Sequence, residues 1–159
     1  MLKVLNPATE EVIMELEEDD SRSIIEKYNR AMSAQMEWVR TDLDQRERIL
    51  GDFRGMLIDK EEMLARTLTE ETGKPLRQAR AEIRATAGRV EFFLRNFRAA
   101  LSEEVVQPRL AADDGKTEER ITYEPLGVIA NISAWNYPYF VGSNVFVPAL
   151  LTGNAVLYK

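Results

Sequence analysis

No cysteine and no histidine occur among the 159 residues of this chain. Disulfides are therefore impossible, the commonest soft metal ligands are missing, and no Ser–His or Cys–His catalytic pair can be assembled from these residues. No metal site is expected. Also lacking is the apolar run of about 20 residues that a membrane helix needs. Met1-Leu2-Lys3 is not followed by the apolar core of a secretion signal. A cytoplasmic location without a membrane partner is the expectation. Internal repeats and low-complexity tracts are absent, which excludes a solenoid or a disordered tail. Positive charge is in deficit, with 21 Lys and Arg against 27 Asp and Glu and a formal net charge of −6. The basic residues sit beside acidic ones and form no stripe, so nucleic acid is not an expected partner.

What remains is a packed protein. Hydrophobic residues make up 45% and charged residues 30%, and the length suits one ordinary domain or two small ones. Val4-Leu5-Asn6-Pro7 and Val12-Ile13-Met14 read as two extended runs around a turn. Asp19, Asp20 and Ser21 form an acidic cap for a helix reaching about Arg40, with Ile24, Ile25, Tyr28, Met32, Met36 and Trp38 as candidate buried positions. Thr41 starts a second helix, with Asp44 at a capping-box position. Its apolar stripe (Ile49, Leu50, Phe53, Leu57, Ile58, Leu64 and Leu68) runs to about Glu71. Gly73 can take a left-handed cap, and Pro75 cannot continue the ladder but suits the first turn of a third helix. That helix carries Ile83, Val90, Phe93, Leu94 and Phe97 and fades near Ala100.

From Val105 the character changes. Val105-Val106-Gln107-Pro108 and Arg120-Ile121-Thr122-Tyr123-Glu124 flank the polar turn Ala112-Asp113-Asp114-Gly115-Lys116. The stretch reads as two projecting strands, or equally as a solvent loop. Gly127-Val128-Ile129-Ala130-Asn131-Ile132 is a nearly continuous apolar run, as expected of a strand buried on both faces. A turn at 133–137 leads to a helix with Pro138 in its first turn and Gly153 at its end, then to a second strand at Ala155-Val156-Leu157-Tyr158. This is a β–α–β unit, hence parallel and right-handed, with nucleotide sites favoured at the carboxyl ends of its strands. Asn136 is well placed to cap the helix. Trp135 by itself reads as core and Lys159 as a solvated strand end. Ser133 has no histidine to activate it as a nucleophile.

Five short motifs then fall in order. Asn6-Pro7-Ala8-Thr9, Glu71-Thr72-Gly73-Lys74-Pro75, Pro125-Leu126-Gly127-Val128 with Trp135-Asn136-Tyr137-Pro138, Pro148-Ala149-Leu150, and Gly153-Asn154-Ala155-Val156 with Lys159 together resemble the aldehyde dehydrogenase superfamily. The resemblance covers the whole chain. It implies an α/β fold: N-terminal helices plus the start of a Rossmann-like parallel sheet, truncated. Residues 1–104 would form the helical part of the cofactor-binding domain, 105–123 the projecting strands of an oligomerisation segment, and 124–159 the first, incomplete β–α–β of the sheet. The implied activity is oxidation of an aldehyde to a carboxylate with NAD or NADP, through a thiohemiacetal on a cysteine that this chain does not contain.

By the same resemblance Asn136 is the amide donor to the substrate carbonyl oxygen. Charge develops there during attack, and loss of one such donor costs about 2.7–4 kcal/mol of barrier. Ile132, Ser133 and Trp135 match a turn that contacts the cofactor, and Lys159 matches the lysine that reads its adenosine ribose. Tyr137, Tyr139, Phe140 and Ser143 either face the substrate channel or fill core. One departure is Ala134, where many relatives carry proline, so that one φ angle of the turn is freed. A small-molecule aldehyde and further copies of the chain, as a homo-oligomer, are the expected partners. The alternative is a naturally truncated, non-catalytic relative that acts by assembly with full-length subunits. The 159 residues alone are expected to be inactive and marginally stable.

Overall fold

The computed structural model describes residues 1–106 and 119–159. Strand β1 (Leu2–Leu5) pairs antiparallel with β2 (Val12–Leu16), and the register shifts between Val4 and Leu5. The Asn6 side chain accepts the Ala8 amide at 2.9 Å, which closes the turn between them. Helix α1 (Ser21–Trp38) begins where Asp20 accepts the Ser23 amide at 2.7 Å, as the acidic cluster predicts. Its stripe is not core, however: Ile24, Ile25, Tyr28, Met32 and Met36 are exposed, and Trp38 is half-buried. The cause is that α1 meets the strands Val128–Asn131 and Ala155–Tyr158 and is fastened near its C-terminal end by polar contacts, while the described residues leave most of the stripe open.

The long helix expected from Thr41 is two helices, α2 (Leu43–Asp59) and α3 (Glu61–Thr72), separated at Lys60. Its cap is Asp42 rather than Thr41, accepting the Gln45 amide at 2.7 Å. The break lets both segments lie against α4 (Leu76–Ala100), which Pro75 precedes as the cap residue. Gly73 closes α3 with φ 71°, the left-handed cap the sequence predicts. Leu50, Leu57, Ala65, Leu68, Ala79, Ile83, Ala87, Val90 and Phe97 form the core between the three helices. Ile49 and Ile58 are exposed instead, since each neighbours a buried leucine and lies about 100° around the helix from it. Ion pairs stitch the outer surface, with Arg80 to Glu62 and Arg84 to Glu61 across α3 and α4, and Arg98 to Asp44 and Glu47 across α2 and α4.

Beyond α4, β3 (Glu104–Val106) and β4 (Glu119–Ile121) pair antiparallel, so strands replace the solvent-loop alternative at those positions. Gln107, Pro108 and the polar turn expected at 112–116 lie outside the described residues. Strand β5 (Val128–Asn131) and strand β6 (Ala155–Tyr158) then pair parallel, joined by helix α5 (Pro138–Leu151). Neither strand is buried on both faces: Ala130 is exposed and most of the others are half-buried. Their sheet has two strands among the described residues, which leaves outer edges and part of one face open. Ile132, at the end of the apolar run, is 80% exposed.

Candidate functional site

Helix α5 is apolar nearly all round, and no side chain of its own caps its N-terminus, where Tyr137 is the cap residue and Pro138 follows. Its free amides are met from α4. One carboxylate oxygen of Glu82 accepts the amides of Tyr139 and Phe140 at 3.0 and 3.3 Å. The other oxygen pairs with the Lys74 ammonium. Lys74 also donates to the Asn136 carbonyl at 2.7 Å and stands 3.8 Å above the Tyr137 ring. Glu82 is 3% exposed, and these three donors meet the hydrogen-bonding need of its buried oxygens.

The C-terminal end of α5 is held in the same borrowed way. Arg46 donates to the Leu151 carbonyl at 2.9 Å, Trp38 to the Leu150 carbonyl at 2.9 Å, and Gln35 to the Gly153 carbonyl at 3.0 Å. Burial pushes the Arg46 guanidinium below its ordinary value, opposed by the charge of Asp42. An anion at the N-terminus and a cation at the C-terminus both complement the helix dipole. Asn131 adds a bond to the Gly142 carbonyl at 3.1 Å, and Tyr158 packs over Gly142 with its hydroxyl donating to the Pro138 carbonyl at 3.2 Å.

These clamps fix the turn that leaves β5. Lys159 donates its amide to the Asn131 carbonyl at 2.8 Å, and Ser133 donates its amide to the Lys159 carbonyl at 2.9 Å. Ser133 and Lys159 thus meet across the carboxyl ends of the two parallel strands. The Ser133 hydroxyl is buried without a hydrogen-bond partner among the described residues. Trp135 is 85% exposed, which removes its core reading. Asn136 is exposed, its side chain makes no hydrogen bond among the described residues, and it does not cap α5. Lys159 is exposed as well.

Beside the turn lies a cavity of about 280 Å³ lined by Gln78, Ala81, Glu82, Ala85, Tyr137 and Phe140. Of the four residues weighed for a channel, Tyr137 and Phe140 line it. Tyr139 packs against the core, and burial, with Glu71 and Glu82 nearby, pushes its hydroxyl pKa up. Ser143 is fully buried and donates to the Phe140 carbonyl at 2.9 Å.

Sequence reasoning missed Glu82 and gave Lys74 no role beyond its motif. A signal existed for Glu82: it shares a helical face with Ala79, Ile83, Thr86 and Val90, all buried, and a carboxylate on an apolar stripe demands a partner. The chemistry available is a free amide donor, an unpartnered hydroxyl, an exposed ammonium and an apolar wall. Among the described residues no cluster of acidic side chains could hold a metal ion. A nucleotide suits this set. Ile132 and Trp135 offer apolar surface to flat rings, the orphan Ser133 hydroxyl offers a polar partner, and parallel strand ends are where such ligands collect.

The sequence model of the aldehyde dehydrogenase family matches residues 1–159. The chain is 33% identical over 158 residues to the 3,6-anhydro-alpha-L-galactose dehydrogenase of Streptomyces coelicolor, covering 99% of this chain and 31% of that protein. Among solved structures it superposes with a betaine aldehyde dehydrogenase variant from Staphylococcus aureus in complex with NAD+, at 26% identity and a TM-score of 0.90, covering 99% of this chain and 31% of that one. It superposes equally on a glyceraldehyde-3-phosphate dehydrogenase from Methanocaldococcus jannaschii complexed with NADP, at 25% identity and a TM-score of 0.89, over 99% and 33% of the two chains. This chain belongs to the aldehyde dehydrogenase family. It spans about a third of the length of these relatives, and its α-helices and small sheets follow the family fold over that span.

Proposed function

We propose that this chain forms the oxyanion-donor and cofactor-wall portion of an NAD(P)-dependent enzyme that oxidises an aldehyde to a carboxylate. The observation that carries the reading is the unengaged Asn136 side chain in a turn that leads from the carboxyl end of β5 to α5, one residue from the exposed Trp135. In this reading the Asn136 amide donates a hydrogen bond to the aldehyde oxygen and strengthens it as negative charge develops there. The donor is set before reaction by the turn, so no reorganisation is needed at the moment of attack. Tyr137 and Phe140 give the adjoining cavity apolar walls that exclude water from the aldehyde. Ile132 and Trp135 form the wall for the cofactor, with Ser133 supplying a hydroxyl and Lys159 an ammonium for ribose hydroxyls. The nicotinamide, when bound, accepts the hydride. Relatives with NAD+ and with NADP both share this fold, and the proposal covers either. The thiolate nucleophile and general base are assigned to residues outside these 159. The β3–β4 ribbon, with Val105 and Ile121 exposed, supports the proposal of a homo-oligomer built through residues 105–123.

The test is aldehyde-dependent reduction of NAD+ or NADP+ by the complete polypeptide carrying this chain, with Asn136→Ala beside it. The variant is expected to lose about 10²–10³ in kcat. A complete polypeptide inactive toward short, aromatic and semialdehyde substrates would end the proposal. An Asn136→Ala enzyme of unchanged kcat would remove the oxyanion role.

A further inference from the structure

The turn that carries Asn136 has few restraints of its own. Ala134 leaves its φ angle free, the Asn136 side chain is unbonded among the described residues, and α5 has no side-chain cap from its own first residues. The restraint comes from α4 and from the loop that precedes it. The side chains of Lys74 and Glu82 are 9% and 0% exposed, and among the described residues their hydrogen bonds other than with each other go to backbone atoms of residues 136–140.

We propose that Lys74 and Glu82 act as one positioning unit that fixes the Asn136 turn and the first turn of α5 against α4. Glu82 meets the amides of Tyr139 and Phe140, and Lys74 meets the Asn136 carbonyl and the Tyr137 ring face, so three of the four peptide units from Asn136 to Phe140 are gripped from one side. Neither side chain reaches the Asn136 amide itself. They are positioning residues, and their catalytic consequence rests on the function proposed above. The geometry suits that role. The ammonium holds the carbonyl of the same residue whose side chain is the donor, so any slackening of Lys74 moves the Asn136 backbone directly. A buried ion pair adds little net stability over apolar packing of equal volume, but breaking one partner leaves an unpaired buried charge. Retaining such a pair is explained by what it orients. Glu82 also forms part of the cavity wall with Tyr137 and Phe140, so the same unit sets one side of that space.

The test uses the complete polypeptide with Lys74→Met, Glu82→Gln and the double variant, read in two ways. The first is hydrogen exchange at the amides within residues 136–140 (all but Pro138, which has none) compared with core amides at Val90 and Val147. The second is the split of kcat against KM for the aldehyde. Lys74→Met is expected to speed exchange at 136–140 by about tenfold or more, which corresponds to the loss of a charge-assisted bond, while Val90 and Val147 keep their protection. A displacement of the donor by about 1 Å lowers kcat on the order of 10²-fold with KM little changed. The double variant is expected to lose little beyond the worse single variant, as for groups that act together. Where Lys74→Met does not fold, Lys74→Arg keeps the charge beside Glu82 but cannot hold the carbonyl and the ring face together, and a several-fold local loosening is expected from it.

Unchanged exchange at 136–140 would overturn the proposal, and so would an equal acceleration at Val90 and Val147, which marks simple destabilisation. Additive losses in the double variant would show two separate roles instead of one unit. If the parent polypeptide oxidises no aldehyde, the proposed function fails, and the exchange measurement alone still decides whether the unit holds the turn.

Discussion

A glycine in the middle of α5 shows how closely this site is fitted. A Cβ at position 142 would stand 2.8 Å from Tyr158 Cζ, far inside contact distance. Gly142→Ala is therefore expected to displace the Tyr158 ring, break its bond to the Pro138 carbonyl and cost about 1–3 kcal/mol, measured by denaturant unfolding. Adding Tyr158→Ala should remove the clash and return part of that loss, and a strictly additive pair would contradict the account. Where some of the candidate residues sit was legible one residue at a time. Trp135, Asn136 and Lys159 stand in motifs, with Ser133 in the turn just before Trp135, and the strand ends bring the Ser133 amide onto the Lys159 carbonyl. Glu82 was not legible in that way, because a charged residue on a helix reads as solvent-facing unless the whole stripe around it is examined. Its amide partners, Tyr139 and Phe140, lie more than 50 residues later in the chain, and its ammonium partner Lys74 lies in the loop before its helix.

Elements were legible where they carry their own punctuation. Asp20, Gly73 and Pro75 mark ends that the structure keeps. The separation of α2 from α3 at Lys60 has no such mark, for neither glycine nor proline stands there, and the apolar spacing runs across it. It follows from docking both segments on α4, a tertiary demand that local pattern does not encode. The surface between α3 and α4 carries a titration of its own. Arg80, followed by Arg66, holds the Glu62 carboxyl down from 4.5 to about 2. A carboxylate with a depressed pKa contributes stability that is present above about pH 4.5 and is lost as pH falls toward 2. Glu62→Gln is expected to lower the melting temperature slightly at neutral pH and to flatten its fall between those two values. A variant whose acid profile runs parallel to the parent's would exclude Glu62 as a source of that slope. Because the pair is exposed, added salt should diminish the effect.

At the scale of the molecule the order of motifs anticipated the family and the β–α–β arrangement, and the fold of relatives about three times longer bears both out over this span. What patterning overstated was burial. The apolar residues of α1, β5 and β6 are written for covered surfaces, while the described residues cover them in part. Periodicity reports that a face is apolar and says nothing about which segment lies on it. The attachment of α1 illustrates the difference most clearly, since Gln35 and Trp38 fasten it through carbonyl groups at the end of α5 and just beyond it, and its apolar stripe is already in water. Detaching α1 would uncover these polar groups together with the part of β5 and β6 that it contacts, and polar exposure lowers heat capacity where apolar exposure raises it. The opening free energy of α1 should thus curve less with temperature than that of the α2–α4 core, which follows a steep dome. Hydrogen exchange measured from near freezing to about 40 °C would separate the two, and equal curvature for α1 and the core would mean that they open together. On this account cooling loosens α1 less than it loosens the core, once the core has passed its own optimum.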